Sequence, residues 1–144
     1  MRKVFFSFHY ERDSWRVSQV RNSNKIGKNE FENPYYDRAG WEEVKEEGDD
    51  AIAEWIDSQI KGTSVTAVLI GAKTSTRKWV KYEIAETIRQ GHGLIGVKIN
   101  KIKDQNGDTD DDGVNPLSSD YKLYLWNNDN GRENLGTWIE DAAS

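Results

Sequence analysis

Cysteine is absent from the 144 residues, and histidine is confined to His9 and His92. The first absence removes disulfides, a thiolate nucleophile and any cysteine-based zinc site; the second leaves too few ligands for a histidine-rich metal centre. Long apolar runs are missing as well. Met1-Arg2-Lys3 precedes apolar residues, but Val4 to Phe8 is too short for a secretion signal or a membrane span, and no later run approaches membrane length. The expectation is a soluble, cytoplasmic protein. Positive charge is not in surplus: the formal net charge is -5 and the pI about 5.1. Since neutralising phosphates needs clustered Lys and Arg, nonspecific nucleic-acid binding is disfavoured. Neither a GxxxxGK(S/T) phosphate loop nor a GxGxxG turn after the first strand is present. A receiver-type phosphoacceptor site would need clustered carboxylates after the first strand and an Asp after the third, where this chain has Ser7, His9 and Gly71-Ala72-Lys73.

What is present is an alternation of strand and helix patterns at a length that suits one domain, residues 1–144. Lys3 to Phe8 reads as the first strand, followed by a loop from His9 and a short helix carrying Trp15, Val17 and Val20. Between Asn22 and Lys45 the pattern is weak: Tyr35-Tyr36-Asp37 reads as a short strand and Trp41 to Lys45 as helical. Asp49 or Asp50 then caps a helix with Ile52, Trp55, Ile56 and Ile60 on one face, ended by Gly62. Val65 to Ile70, continuously apolar and β-branched, is a central parallel strand covered on both faces. Leu94 to Ile99 is another strand, Tyr121 to Trp126 a late one, and Leu135, Trp138, Ile139 and Ala142 line a terminal helix. The fold class is α/β with a mostly parallel central sheet flanked by helices. The acidic stretch Asp104 to Asp112 includes Asp108-Thr109-Asp110-Asp111-Asp112-Gly113, which matches the first half of a calcium loop. Position 12 of that loop would be Ser119 instead of a bidentate Glu, so the stretch reads as a solvated surface insertion, with no metal site.

The segment with the most chemical content follows the central strand. Ser75 or Thr76 caps a helix in which Val80, Ile84 and Ile88 recur every four residues as the face packed on the sheet. Trp79 and Glu83, one turn apart, share the neighbouring face. Glu83 is thereby held at the edge of the packed stripe near the carboxyl end of the strand, where open α/β sheets place their ligands. Taken alone, a single Glu on an amphipathic helix is most often a solvated residue.

Three blocks together change that reading: Phe5-Phe6-Ser7-Phe8-His9-Tyr10, Thr63 to Gly71, and Arg77-Lys78-Trp79-Val80-Lys81-Tyr82-Glu83-Ile84. They resemble TIR domains, with Tyr36-Asp37 through Gly48 in the place of the BB loop and Trp79 to Glu83 similar to the Trp-x-x-x-Glu helix of TIR domains that cleave NAD. More narrowly they resemble the TIR-like proteins of bacterial Thoeris anti-phage systems. The resemblance implies a flavodoxin-like three-layer fold with its core over about 1–100 and a variable portion over 101–144, and cleavage of NAD at the nicotinamide N-glycosidic bond to give a cyclic ADP-ribose signal for a separate NAD-consuming effector. It implies a phage component as trigger, activity through self-association, and NAD as a substrate with no further cofactor. By family position, Glu83 is catalytic, His9 and Tyr10 contact nicotinamide or its ribose, Ser7 and Asp37 border the pocket, and Trp79 forms its aromatic wall. Two other readings stay open from the residues alone: a non-catalytic TIR-like interaction module, and a nucleoside deoxyribosyltransferase-like enzyme, which would process deoxynucleosides and ignore NAD.

Overall fold

Four short strands whose residues are nearly all apolar or β-branched form the centre of the computed structural model, which describes residues 2–26, 31 and 38–144. They are β1 (Val4–Ser7), β2 (Val65–Ile70), β3 (Gly93–Lys98) and β4 (Leu123–Leu125), hydrogen-bonded in the order β1-β2-β3-β4 and parallel throughout. Val4 pairs with Val65 and Val65 with Gly93, which puts the carboxyl ends of the first three strands along one rim. The helices are α1 (Tyr10–Ile26), α2 (Arg38–Glu46), α3 (Asp49–Lys61), α4 (Lys78–Gln90) and α5 (Gly131–Ala143).

Because alternate strand residues face opposite ways, β1 to β3 are buried on two sides. Val4, Phe6, Val65, Ala67, Leu69, Ile95 and Val97 meet Val17 and Val20 of α1 and Leu135 and Ile139 of α5. On the other side, Phe5 meets Trp41 of α2 and Ile52, Ile56 and Ile60 of α3, while Val68, Ile70 and Leu94 meet Val80 of α4. The result is the expected three-layer α/β arrangement. Phe31 is fully buried in the α1–α5 layer, its ring edge-on to Phe6 at 5.8 Å. The expected strand at Tyr35-Tyr36-Asp37 lies outside the described residues.

Several local expectations need correction. The helix after β1 starts at Tyr10 and runs 17 residues, so His9 is followed by helix and not by a loop. Gly48, at φ 102°, occupies the N-cap of α3, displacing Asp49 and Asp50 into the first turn, where their negative charge still suits the helix dipole. Arg77 takes the corresponding place at α4 without a side-chain cap. Ser75 and Thr76 instead belong to a 3-10 turn, Thr74–Thr76, in which the Thr74 hydroxyl accepts the Gly71 amide proton at 2.8 Å. Ile88 is half exposed, at 50%, and the inward edge of α4 carries Val80, Glu83 and Thr87.

The acidic stretch is exposed but anchored, unlike a freely solvated insertion. Arg12 and Arg16 both pair with Asp110, Lys98 donates to Asp112 at 2.6 Å, and Arg16 donates to the Ile102 carbonyl at 2.7 Å. Gly113 closes the stretch against the end of β2, so tightly that a Cβ there would lie 2.0 Å from the Gly71 carbonyl oxygen. Among the described residues no group of three or more His, Asp and Glu side chains is placed to hold a metal ion, and no helix is long and apolar enough to cross a membrane.

Candidate active site

Ser7, the last residue of β1, faces the α3–α4 side of the sheet, and its hydroxyl donates to Glu83 Oε1 at 2.6 Å. One strand across, Thr66 of β2 faces the same way, and its hydroxyl meets that of Thr87 at 2.7 Å. Glu83 and Thr87 are one helical turn apart, and the Thr87 hydroxyl also donates to the Glu83 carbonyl at 2.8 Å. The sheet therefore offers α4 two hydroxyl partners at helical spacing. These partners turn the polar edge of the helix inward and leave Ile88 at the surface.

Glu83 is held in a partly enclosed pocket with about 560 Å³ of empty space when its mouth is included. Phe5, Phe6 and Phe8 come from the β1 segment and Tyr10 from the start of α1. Trp41, Trp55 and Gln59 come from α2 and α3, and Trp79 and Val80 from α4. Tyr10, Trp41 and Trp55 form a continuous aromatic wall, with ring centroids 6.1 and 5.6 Å apart, and Trp79 is edge-on to Tyr82 at 5.5 Å. At the rim Glu11 faces Arg77 at 3.4 Å and Lys45 at 3.7 Å.

These surroundings set the charge state of the carboxyl. Burial among aromatic rings disfavours the carboxylate and pushes the Glu83 pKa up to about 8, against the opposing pull of the Ser7 hydroxyl. At neutral pH this shift favours the protonated carboxyl. A cationic ligand beside it reverses the balance, because an opposite charge within a few ångströms favours the ionised form.

Of the six residues singled out from the sequence, Glu83, Tyr10 and Trp79 line the pocket and Ser7 supports Glu83 from behind. His9 does not line it. Its ring is partly buried, with Nδ1 3.5 Å from Glu11, and burial followed by the nearby Arg77 charge lowers its pKa, favouring neutral imidazole. Asp37 lies outside the described residues. Trp41, Trp55, Gln59, Glu11 and Arg77 were not anticipated; Trp55 reads from sequence as a packing residue, and nothing in the local pattern marks Gln59.

The Thoeris protein ThsB, TIR-like domain, matches residues 5–104. The chain belongs to this family. The matched span runs from Phe5 of β1 through the pocket walls and takes in the whole of α4. Over 138 residues, 95% of this chain and 71% of the other, it is 38% identical to a Bacillus cereus (strain MSX-D12) protein named "Putative cyclic ADP-D-ribose synthase ThsB1". The TIR-like fold, Thoeris membership and three-layer architecture expected from sequence all stand.

Proposed function

We propose that this ThsB-family chain cleaves NAD at the nicotinamide N-glycosidic bond and closes the remaining ADP-ribose into a cyclic signal of Thoeris anti-phage defence. The observation that carries the reading is Glu83 itself, a carboxyl buried in an aromatic pocket within a fold whose relative is named for cyclic ADP-ribose synthesis.

The chemistry asks little of the protein. The bond from the ribose anomeric carbon to the pyridinium nitrogen breaks with its electron pair going to nitrogen, so nicotinamide departs as a neutral base and needs no general acid. Positive charge then develops on the ribose. Glu83, ionised by the entering pyridinium, stabilises that charge in a space where water is largely excluded and the interaction is strengthened. Ser7 fixes the carboxyl through Oε1 and leaves Oε2 for the substrate. Tyr10, Trp79 and the Trp41–Trp55 wall enclose the rings, and Arg77 at the mouth meets the diphosphate. A nucleophile within the same ADP-ribose then bonds to the anomeric carbon and releases a proton, in competition with water. The product acts on a separate NAD-consuming effector. A phage component triggers the chain through self-association of its TIR-like domains.

Nucleotides extracted from phage-challenged cells and analysed by mass spectrometry test the proposal. An ADP-ribose isomer should accumulate with the native chain and be lost with Glu83→Gln. Equal amounts in both strains would refute the assignment, and cleavage of deoxynucleosides with NAD left intact would point to deoxyribosyl transfer.

A further inference from the structure

The pocket contains a second pair of polar atoms that the cleavage chemistry leaves unused. Trp41 is only 8% exposed, and its indole Nε1 has no hydrogen-bond partner among the described residues. Gln59 Oε1 is likewise buried without one. Both residues line the space that holds Glu83. Buried donors and acceptors are almost always paired, so two orphans on residues that line one cavity mark a place where a ligand supplies the partners. Trp41 is not free to turn away, because its ring is held between those of Tyr10 and Trp55. Gln59 stands one turn beyond Trp55, on a helix seated through Ile56 and Ile60.

One N–H donor and one carbonyl acceptor on an otherwise aromatic surface complement a flat ring bearing a primary amide. We propose that Trp41 and Gln59 read the carboxamide of nicotinamide, the indole donating to the amide oxygen and Gln59 Oε1 accepting from the amide nitrogen. The inference rests on the NAD reading above and adds a specificity function to residues outside the Glu83 helix. It explains why the aromatic wall carries a glutamine, and it orients the substrate with its ring toward α2 and α3 and its ribose toward Glu83.

The test uses binding, so that neither trigger nor turnover is needed. Titration calorimetry on the Glu83→Gln chain compares NAD with 3-acetylpyridine adenine dinucleotide, in which a methyl group replaces the amide nitrogen and the carbonyl remains. NAD should bind about tenfold tighter, the ordinary worth of one hydrogen bond plus the orphan it would otherwise leave. Adding Gln59→Leu, which preserves size, should weaken NAD to the level of the analogue and bring the ratio near one. Adding Trp41→Phe should weaken both dinucleotides alike and leave the ratio unchanged. A ratio that is the same with and without Gln59→Leu overturns the assignment while leaving the NAD reading intact. If neither the folded parent nor the native chain, each at a concentration where it self-associates, binds either dinucleotide, the NAD reading falls and the assignment falls with it.

Discussion

Two carboxyl groups are buried near the carboxyl end of the sheet, Asp13 on the α1 side and Glu83 on the α4 side, and burial raises the pKa of both. Asp13 is fully buried, neither of its oxygens has a hydrogen-bond partner among the described residues, and it is pressed against Gly71. Arg12 approaches no closer than 3.8 Å. Glu83 has a hydroxyl behind it, aromatic walls around it and an opening in front. A raised carboxyl pKa by itself does not mark a site; access and polar neighbours separate the one that can meet a substrate from the one that is sealed in.

The most severe way to break that comparison is to remove each charge in turn and follow signal synthesis. Glu83→Gln keeps size and hydrogen-bonding shape but removes the negative charge on which the transition state depends, a loss of ~2.7 to 4 kcal/mol for one preorganised electrostatic group. Product formation, followed by mass spectrometry, should fall by a factor of hundreds. Asp13→Asn, which cannot touch the substrate, should stay within a few fold of the native rate.

The same substitution should act in the opposite direction on stability. Between the ordinary carboxyl range and about 8 the folded chain keeps a proton on Glu83 that the unfolded chain has released. A group that binds more protons in the folded state makes stability fall as pH rises, by at most about 1.4 kcal/mol per pH unit for one site. Glu83→Gln removes this slope. Melting temperatures taken from pH 5 to 9 should therefore favour Glu83→Gln by a margin that widens up to about pH 8 and then levels off. A margin independent of pH would mean that the folded pKa is not raised. Asp13, shifted in the same direction, leaves a residual slope of the same sign in the variant.

Gly71 is where the sealed side can be opened. A Cβ on Gly71 would lie 2.3 Å from Asp13 Oδ2 and 2.8 Å from Asp13 Cγ, and Gly113 closes the other side of the same residue. Gly71→Ala should cost about 1 to 3 kcal/mol as overpacking, measured by urea denaturation. In the double variant with Asp13→Ala most of that cost should disappear, since the clashing group is gone. An additive double variant would place the strain at Gly113 instead.

Among the described residues, the strands and the run of helices were legible in the sequence because each is declared by neighbours within one or two turns, whereas Glu83 stood out only through the resemblance of three separate blocks to TIR domains. Val65 to Ile70 is apolar apart from the β-branched Thr66, and the Val80, Ile84 and Ile88 spacing marks a helix following it. The inward rotation of α4 was not legible, because its cause lies on other elements: Ser7 and Thr66 belong to β1 and β2, and no periodicity within 78–90 reports them. Trp41 and Gln59 were missed for a related reason. Trp41 sits in a weakly patterned stretch, and Gln59 flanks the Ile52, Ile56 and Ile60 stripe like any solvated polar residue. Only the closing of α2 and α3 over β1 makes them pocket walls.

That account of α4 predicts a sharp contrast between adjacent positions. Thr87→Val keeps the shape of a buried side chain but strands the Thr66 hydroxyl without its partner, which costs about 1 to 3 kcal/mol where the group stays dry. Ile88→Gln replaces a half-exposed apolar residue by a good helix former, and surface changes of this kind stay within about 0.5 kcal/mol. On the pattern Val80, Ile84, Ile88 alone the order would be the reverse, with Ile88 in the core and Thr87 beside it in solvent. Urea midpoints for the two variants decide between the arrangements. A larger loss at Ile88 than at Thr87 would mean that α4 is rotated about its axis, and with that rotation Glu83 would leave the pocket.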